Sequence, residues 1–221
     1  MNLSKVHDFF KPEAVGAQVH IIGCGSVGST VAENLARCGV TDLVLWDFDV
    51  VESKNIVNQM FRVQDVGRLK VEALQDILRE INPDIRVTLK PEGWQGEVLS
   101  GYVFLAVDNI ELRRRIAQQH LRIPFVRAVF DFRTGLTDAQ HFAADWSEPK
   151  DKQNFLKTME FSHEDAMAQT PVSACGVTLG VATTCRLVSA YGVNNFINFI
   201  NTGKLRRMAV MDGFAMDLEA Y

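Results

Sequence analysis

Gln18-Val19-His20-Ile21-Ile22-Gly23-Cys24-Gly25-Ser26-Val27-Gly28 is a short β-branched run ending in a glycine turn. Beyond it, Val27, Val31, Leu35 and Cys38 recur at helical spacing. Two of the glycines permit a tight turn and close approach of a phosphate to backbone N–H groups. The third lets helix and strand pack closely, and the helix N-terminus adds positive potential. Strand, turn and helix in this order predict a nucleotide phosphate on Gly23, Gly25, Ser26 and Gly28. A second strand, Leu43-Val44-Leu45-Trp46, is apolar throughout, as expected when both faces are buried. It stops at Asp47, where a carboxylate can accept hydrogen bonds from ribose hydroxyls.

Working outward, a helix is predicted over residues 70–81, apolar at Val71, Leu74, Ile77, Leu78 and Ile81 and stopped by Asn82-Pro83. Strands follow over 85–89 and 103–107, a helix over 111–120 and a strand over 125–129. This alternation predicts a doubly wound, Rossmann-like, mostly parallel α/β sheet with right-handed crossovers and helices on both faces. The last third departs from it, with an antiparallel strand over 139–143, a helical stretch over 176–200 and a terminal strand over 207–211. Residues 145–170 are polar and weakly periodic, which predicts a functional loop, a mobile lid or a disordered crossover. One domain over 1–221 is expected, with a nucleotide-binding core at 14–135, the crossover at 145–170, and a C-terminal helix and strands at 171–221.

Composition narrows the function classes. With 221 residues, 47% hydrophobic and 23% charged, the chain can bury a sizeable core, and bulk disorder is excluded. Apolar stretches fall far short of the ~18–20 residues of a membrane span. The first residues, Met1 to Glu13, lack the apolar centre of a secretory signal, so a cytoplasmic location without membrane partners is expected. A net charge of −4 gives no general attraction to nucleic acid. The densest basic run, Arg113-Arg114-Arg115, fans around a helix instead of forming a stripe. Cys24, Cys38, Cys175 and Cys185 form no C-x-x-C pair and the five histidines lie apart, which predicts reduced thiols and no zinc.

The segment after the second strand decides between hydride transfer and other nucleotide chemistry. It carries Asp47, Asp49, Asn55, Gln59, Asp65, Gly67 and Lys70, and the fourth strand runs into Ala106-Val107-Asp108-Asn109 with Arg113 following. These separated motifs resemble the ubiquitin-activating-enzyme-like adenylyltransferases (ThiF/MoeB-like), which include the bacterial activators of sulfur-carrier proteins. The resemblance covers residues 15–135 well and 171–219 loosely. It implies ATP- and Mg²⁺-dependent adenylation of the C-terminal carboxylate of a small ubiquitin-like or sulfur-carrier protein or peptide ending in glycine, by a homodimer. Lys70 would serve the phosphates and Asp108 would hold Mg²⁺. Asn55, Asn58 and Gln59 would line ribose and phosphate with Asp47 and Asp49. Arg62 would add charge, and Asn109 and Arg113 would flank the metal carboxylate, Arg113 orienting Asp108 or neutralising phosphate.

The chain departs from the family pattern in three ways. Asn58 stands where the family has arginine, the paired C-x-x-C motifs are absent, and Met1 to Glu13 carries Lys5 and Lys11 but no arginine. Cys175, near the start of the C-terminal helix, is either a thioester nucleophile activated by helix polarity or an inert core thiol. Taken singly, Lys70 reads equally as a solvated helix residue and Asp108 as a helix cap. A nucleotide-binding scaffold and a nicotinamide-dependent oxidoreductase stand as alternative functions.

Overall fold

A computed structural model describes residues 1–169, 172–174 and 178–221. Among the described residues, eight strands form one sheet in the order β3-β2-β1-β4-β5-β6-β7-β8, with β1 Val19–Ile22, β2 Asp42–Trp46, β3 Arg86–Lys90, β4 Gly101–Leu105, β5 Val126–Thr134, β6 Asp138–Asp145, β7 Met208–Asp212 and β8 Asp217–Ala220. The first five pair in parallel and the last three antiparallel, so the doubly wound arrangement with antiparallel C-terminal strands holds. The outermost strand β8, which pairs with β7, was not expected from sequence.

The helices are α1 Ser26–Arg37, α2 Lys70–Ile81, α3 Ile110–Gln119, α4 Pro149–Lys157, α5 His163–Gln169 and α6 Ala182–Thr202. Apolar residues of α1, α2 and α6, among them Leu35, Leu74 and Phe196, cover one face of the sheet. On the other, Ile110 and Ile116 of α3 and Phe155 of α4 pack with Trp46 and Leu105. Alternation along β1, with Ile21 in the first cluster and Ile22 in the second, is what a strand buried on both faces requires. None of the helices among the described residues is long and apolar enough to cross a membrane.

One expectation is corrected. The polar stretch 145–170 contains α4 and α5 instead of a structureless loop. Phe155 and Met159 are buried there, and Asp151 of α4 pairs with Arg207 at 2.8 Å. Polar anchors made across the sequence, more than an apolar stripe, hold this segment on the sheet.

Strand order reverses between β1 and β4, which are neighbours although β2 and β3 separate them in sequence. Ligands of open α/β sheets gather outside the carboxyl ends of the strands at such a switch point. Gly23 leaves β1 there and Ala106 leaves β4.

Candidate functional site

Close packing accounts for two of the three glycines. A Cβ on Gly23 (φ +93°) would lie 2.8 Å from the Ala106 carbonyl oxygen, and one on Gly28 would lie 1.8 Å from the Gly23 carbonyl oxygen. Gly25, which caps the N-terminus of α1, is different: a Cβ there would meet nothing within 4 Å. The chain has no packing reason to leave this position bare. An open cradle at the head of a twelve-residue helix fits an anionic ligand held by backbone N–H groups.

Asp47 closes the turn from the second strand. Its Oδ2 accepts from the Cys24 N–H at 2.6 Å and its Oδ1 from the Asp49 N–H at 2.9 Å. Burial raises the Asp47 carboxyl above its usual range, against the pull of Lys70 and these two N–H groups. Burial also raises the Cys24 thiol well above its ordinary value, with Asp47 adding to the shift, so Cys24 is an inert thiol in a crowded turn.

The spacing of Asp65, Gly67 and Lys70 has a local explanation. Asp65, fully buried, accepts from the Arg62 N–H at 2.8 Å, and Gly67 takes the left-handed φ of +90°. The chain then runs back along residues 49–51, with Gly67 N–H donating to Val51 O and Lys70 N–H to Asp49 O. Lys70 therefore starts α2 beside the glycine turn, and its Nζ donates to Asp49 Oδ2 at 2.6 Å. With the whole residue 7% exposed, Lys70 is not a solvated helix lysine. Its charge acts on both Cys24 and Asp47.

Asp108 and Asn109 divide two jobs that sequence alone left open. Asn109 caps α3, its side chain accepting from the Leu112 N–H at 2.9 Å. Asp108 is exposed, with no hydrogen bond or ion pair to any described residue. Its carboxylate is free at the carboxyl end of β4, a hard oxygen ligand suited to Mg²⁺, which needs one or two protein carboxylates alongside phosphate and water.

Other expected residues are engaged elsewhere. Arg62 pairs with Asp65 at 3.4 Å and with Glu80 at 2.9 Å. Glu80 lies ten residues along α2 from Lys70, about 15 Å at helical rise, so Arg62 is drawn away from the glycine turn. Asn55 accepts from the Glu52 N–H at 2.8 Å and Asn58 donates to the Gly180 carbonyl at 3.1 Å. Lys54, the other cation near enough in sequence to replace the charge missing at Asn58, pairs with Glu52. Gln59 keeps a buried Oε1 without a partner among the described residues, an acceptor open to a donor. Arg113, 7% exposed, donates to the Val107 and Phe132 carbonyls and pairs with Asp131, so its charge is not presented to a phosphate. Ser26 is the first residue of α1, and Cys175 lies outside the described residues.

Sequence reasoning missed Asp131 and Arg133. The signal was present: in the strand Val129-Phe130-Asp131-Phe132-Arg133, two opposite charges share one face of an otherwise apolar strand.

The ThiF family pattern matches residues 6–220 of the chain. Ubiquitin-like modifier-activating enzyme 5 of Drosophila virilis is 34% identical over 134 residues, 52% of this chain and 32% of that protein. Its Arabidopsis thaliana counterpart is 48% identical over 67 residues, 30% of this chain and 16% of its own length. This chain therefore spans about a third or less of the curated relatives it matches. Among solved structures, Escherichia coli MccB with ATP has a TM-score of 0.71 at 18% identity, covering 95% of this chain and 65% of MccB. PaaA gives 0.74 at 18% identity, covering 99% of this chain and 68% of PaaA. At that identity the structural likeness is one of fold, but with a family match from residue 6 to residue 220 of 221, the chain belongs to the ThiF family.

Proposed function

We propose that this chain adenylates the C-terminal carboxylate of a small ubiquitin-like or sulfur-carrier protein or peptide ending in glycine, using ATP and Mg²⁺, as a cytoplasmic homodimer. One observation carries the reading: Lys70 is buried at the head of α2, paired with Asp49, beside a glycine turn whose central Gly25 leaves an open cradle. The relatives named as ubiquitin-like modifier-activating enzymes support it. So does the fold shared with Escherichia coli MccB in its structure with ATP.

In acyl-adenylate formation a carboxylate oxygen attacks the α-phosphorus of ATP as the α–β phosphoanhydride bond breaks and pyrophosphate leaves; the two reactants are anions that repel, so catalysis consists of neutralising charge and aligning them. Lys70 brings a cation whose Asp49 partner keeps it extended and aimed. The N–H groups at the start of α1 hold phosphate over Gly25. Asp47 keeps the turn closed through Cys24 N–H and offers its free lone pairs to ribose. Gln59 Oε1 gains a donor from the nucleotide. Asp108 is the residue that would hold Mg²⁺, which would supply further charge neutralisation on the phosphates. No protein nucleophile is needed for this half-reaction, and Cys175→Ala is expected to spare it.

Carboxylate-dependent exchange of pyrophosphate into ATP tests the reading. Lys70→Ala and Asp108→Ala are each expected to lower exchange ~10²–10³-fold, about 3–4 kcal/mol. Exchange within a few-fold of wild type in both variants would remove their assigned roles, and tight NAD binding without ATP binding would remove the reading itself. A nucleotide-binding scaffold is favoured by one observation: Asn58, where the family pattern has a phosphate-facing arginine, is spent on Gly180, and Arg62, which could replace that charge, is paired with Glu80. ATP binding with no exchange on any acceptor would select it.

A further inference from the structure

Asp131 lies in the middle of β5, fully buried on the face opposite to its sequence neighbours Phe130 and Phe132. Its Oδ1 accepts from Arg113 Nη1 and its Oδ2 from Arg133 Nε at 2.8 Å. Two guanidinium groups on one carboxylate make a buried triad that holds together only while every donor is satisfied. The remaining donors reach two separate parts of the molecule. Arg113 Nε, at 2.8 Å, and Nη2 both donate to the Val107 carbonyl, the peptide unit leading into Asp108. Arg133 donates to the Thr158 carbonyl at 2.6 Å and to Thr158 Oγ1 at 2.9 Å, on the connector between α4 and α5. Arg114 binds the same connector, donating to Met159 O at 3.0 Å and Phe161 O at 2.5 Å.

We infer that Asp131 is a positioning residue: through Arg113 it fixes the Val107–Asp108 peptide, and through Arg133 it ties that peptide to the Thr158–Phe161 connector. Asp108 has no partner among the described residues, so the orientation of its carboxylate is set by its backbone, which the Arg113 clamp holds on the Val107 side. Replacing Asp131 by asparagine leaves two guanidinium groups with no charge between them, and an amide N–H₂ facing one of them. The two arginines must then separate, releasing the Asp108 turn and the connector together. The catalytic part of this inference rests on the proposed role of Asp108; the mechanical part does not.

The test is amide hydrogen exchange on the full chain without nucleotide, paired with pyrophosphate exchange. Asp131→Asn is expected to speed exchange about tenfold in residues 107–112 and in 158–161 while β1 and α1 are unchanged. Arg133→Met should loosen 158–161 alone. In catalysis, Asp131→Asn is expected to lower kcat ~10–100-fold, the usual effect of losing a group that orients a metal ligand, with the KM for ATP within a few-fold and a raised Mg²⁺ requirement. Uniform loosening throughout the chain, or an unchanged 107–112, would overturn the inference. So would Arg133→Met loosening both segments, an outcome that remains readable should Asp131→Asn fail to fold. The expected amide pattern in a chain whose wild type catalyses no exchange would support the positioning while defeating the adenylation reading.

Discussion

Gly25 and Gly28 sit three residues apart in one turn and answer to different constraints. A Cβ at Gly28 would run into the Gly23 carbonyl oxygen, whereas one at Gly25 would enter empty space. Gly28→Ala is therefore expected to destabilise the fold by about 2–4 kcal/mol through overpacking against backbone. Gly25→Val should leave the melting temperature near wild type and abolish ATP binding by filling the phosphate cradle. Thermal melts with calorimetric titration of both variants check the pair; a folded Gly25→Val protein that binds ATP normally would rule the cradle out. The same scale separates Asp108 from Asn109. Either residue type can cap a helix, and only the geometry assigns the cap to Asn109 and leaves Asp108 exposed.

Among the elements, α4 shows why part of the chain was illegible. It is nine residues long and starts with Pro149 at its first turn. Phe155 is its one deeply buried apolar side chain. Too few apolar repeats exist for a period to emerge from the sequence. What docks it is polar and distant: Asp151 with Arg207, Lys152 Nζ on the Leu121 carbonyl at 2.9 Å, and Arg133 on Thr158. The ring of Phe155 meets Trp146 edge-on at 5.7 Å. Phe155→Ala is expected to cost about 3–5 kcal/mol in chemical denaturation, as truncation of a buried aromatic does. A cost below about 1 kcal/mol would mean that α4 is not part of the cooperative unit. By contrast, α1 and α2 were legible because their apolar residues repeat over three turns against the sheet.

For the whole molecule, buried histidines set a pH dependence of stability. His20 and His141 lie 5% and 0% exposed, and burial lowers each from 6.5 to about 4, against a smaller opposing pull from Asp42 and Asp131 respectively. Burial lowers His120 in the same direction. His141 donates to the Asp131 carbonyl through Nδ1 at 3.1 Å and meets the Asn195 amide at Nε2, both as a neutral ring. The unfolded chain takes up these protons at about pH 6.5, before the folded chain does. Stability that is full above pH 6.5 is thus lost as pH falls toward 4, by about 1.4 kcal/mol per pH unit for each histidine. Denaturant unfolding between pH 7 and 4.5 checks this: His141→Gln should flatten the slope by one proton, and an unchanged slope would refute the assignment.

The sequence by itself determined the doubly wound sheet, the glycine turn at its switch point, and the acidic residue at the end of β2. Those features are local: a strand buried on both faces, a turn that needs glycine, and a helix that repeats every 3.6 residues are each written within a dozen positions. Only the tertiary structure decided which charges are available to a ligand. Arg62 and Lys70 are eight residues apart and both cationic, yet Glu80 claims the first at the far end of α2, while the return of residues 67–70 along β2's exit brings the second to Asp49. The Arg113–Asp131 pair, the Arg133 contact with Thr158 and the docking of α4 likewise join residues 18 to 56 positions apart. A charge pairs with whichever opposite charge the packed elements bring to it, and no periodic pattern in the chain records that choice.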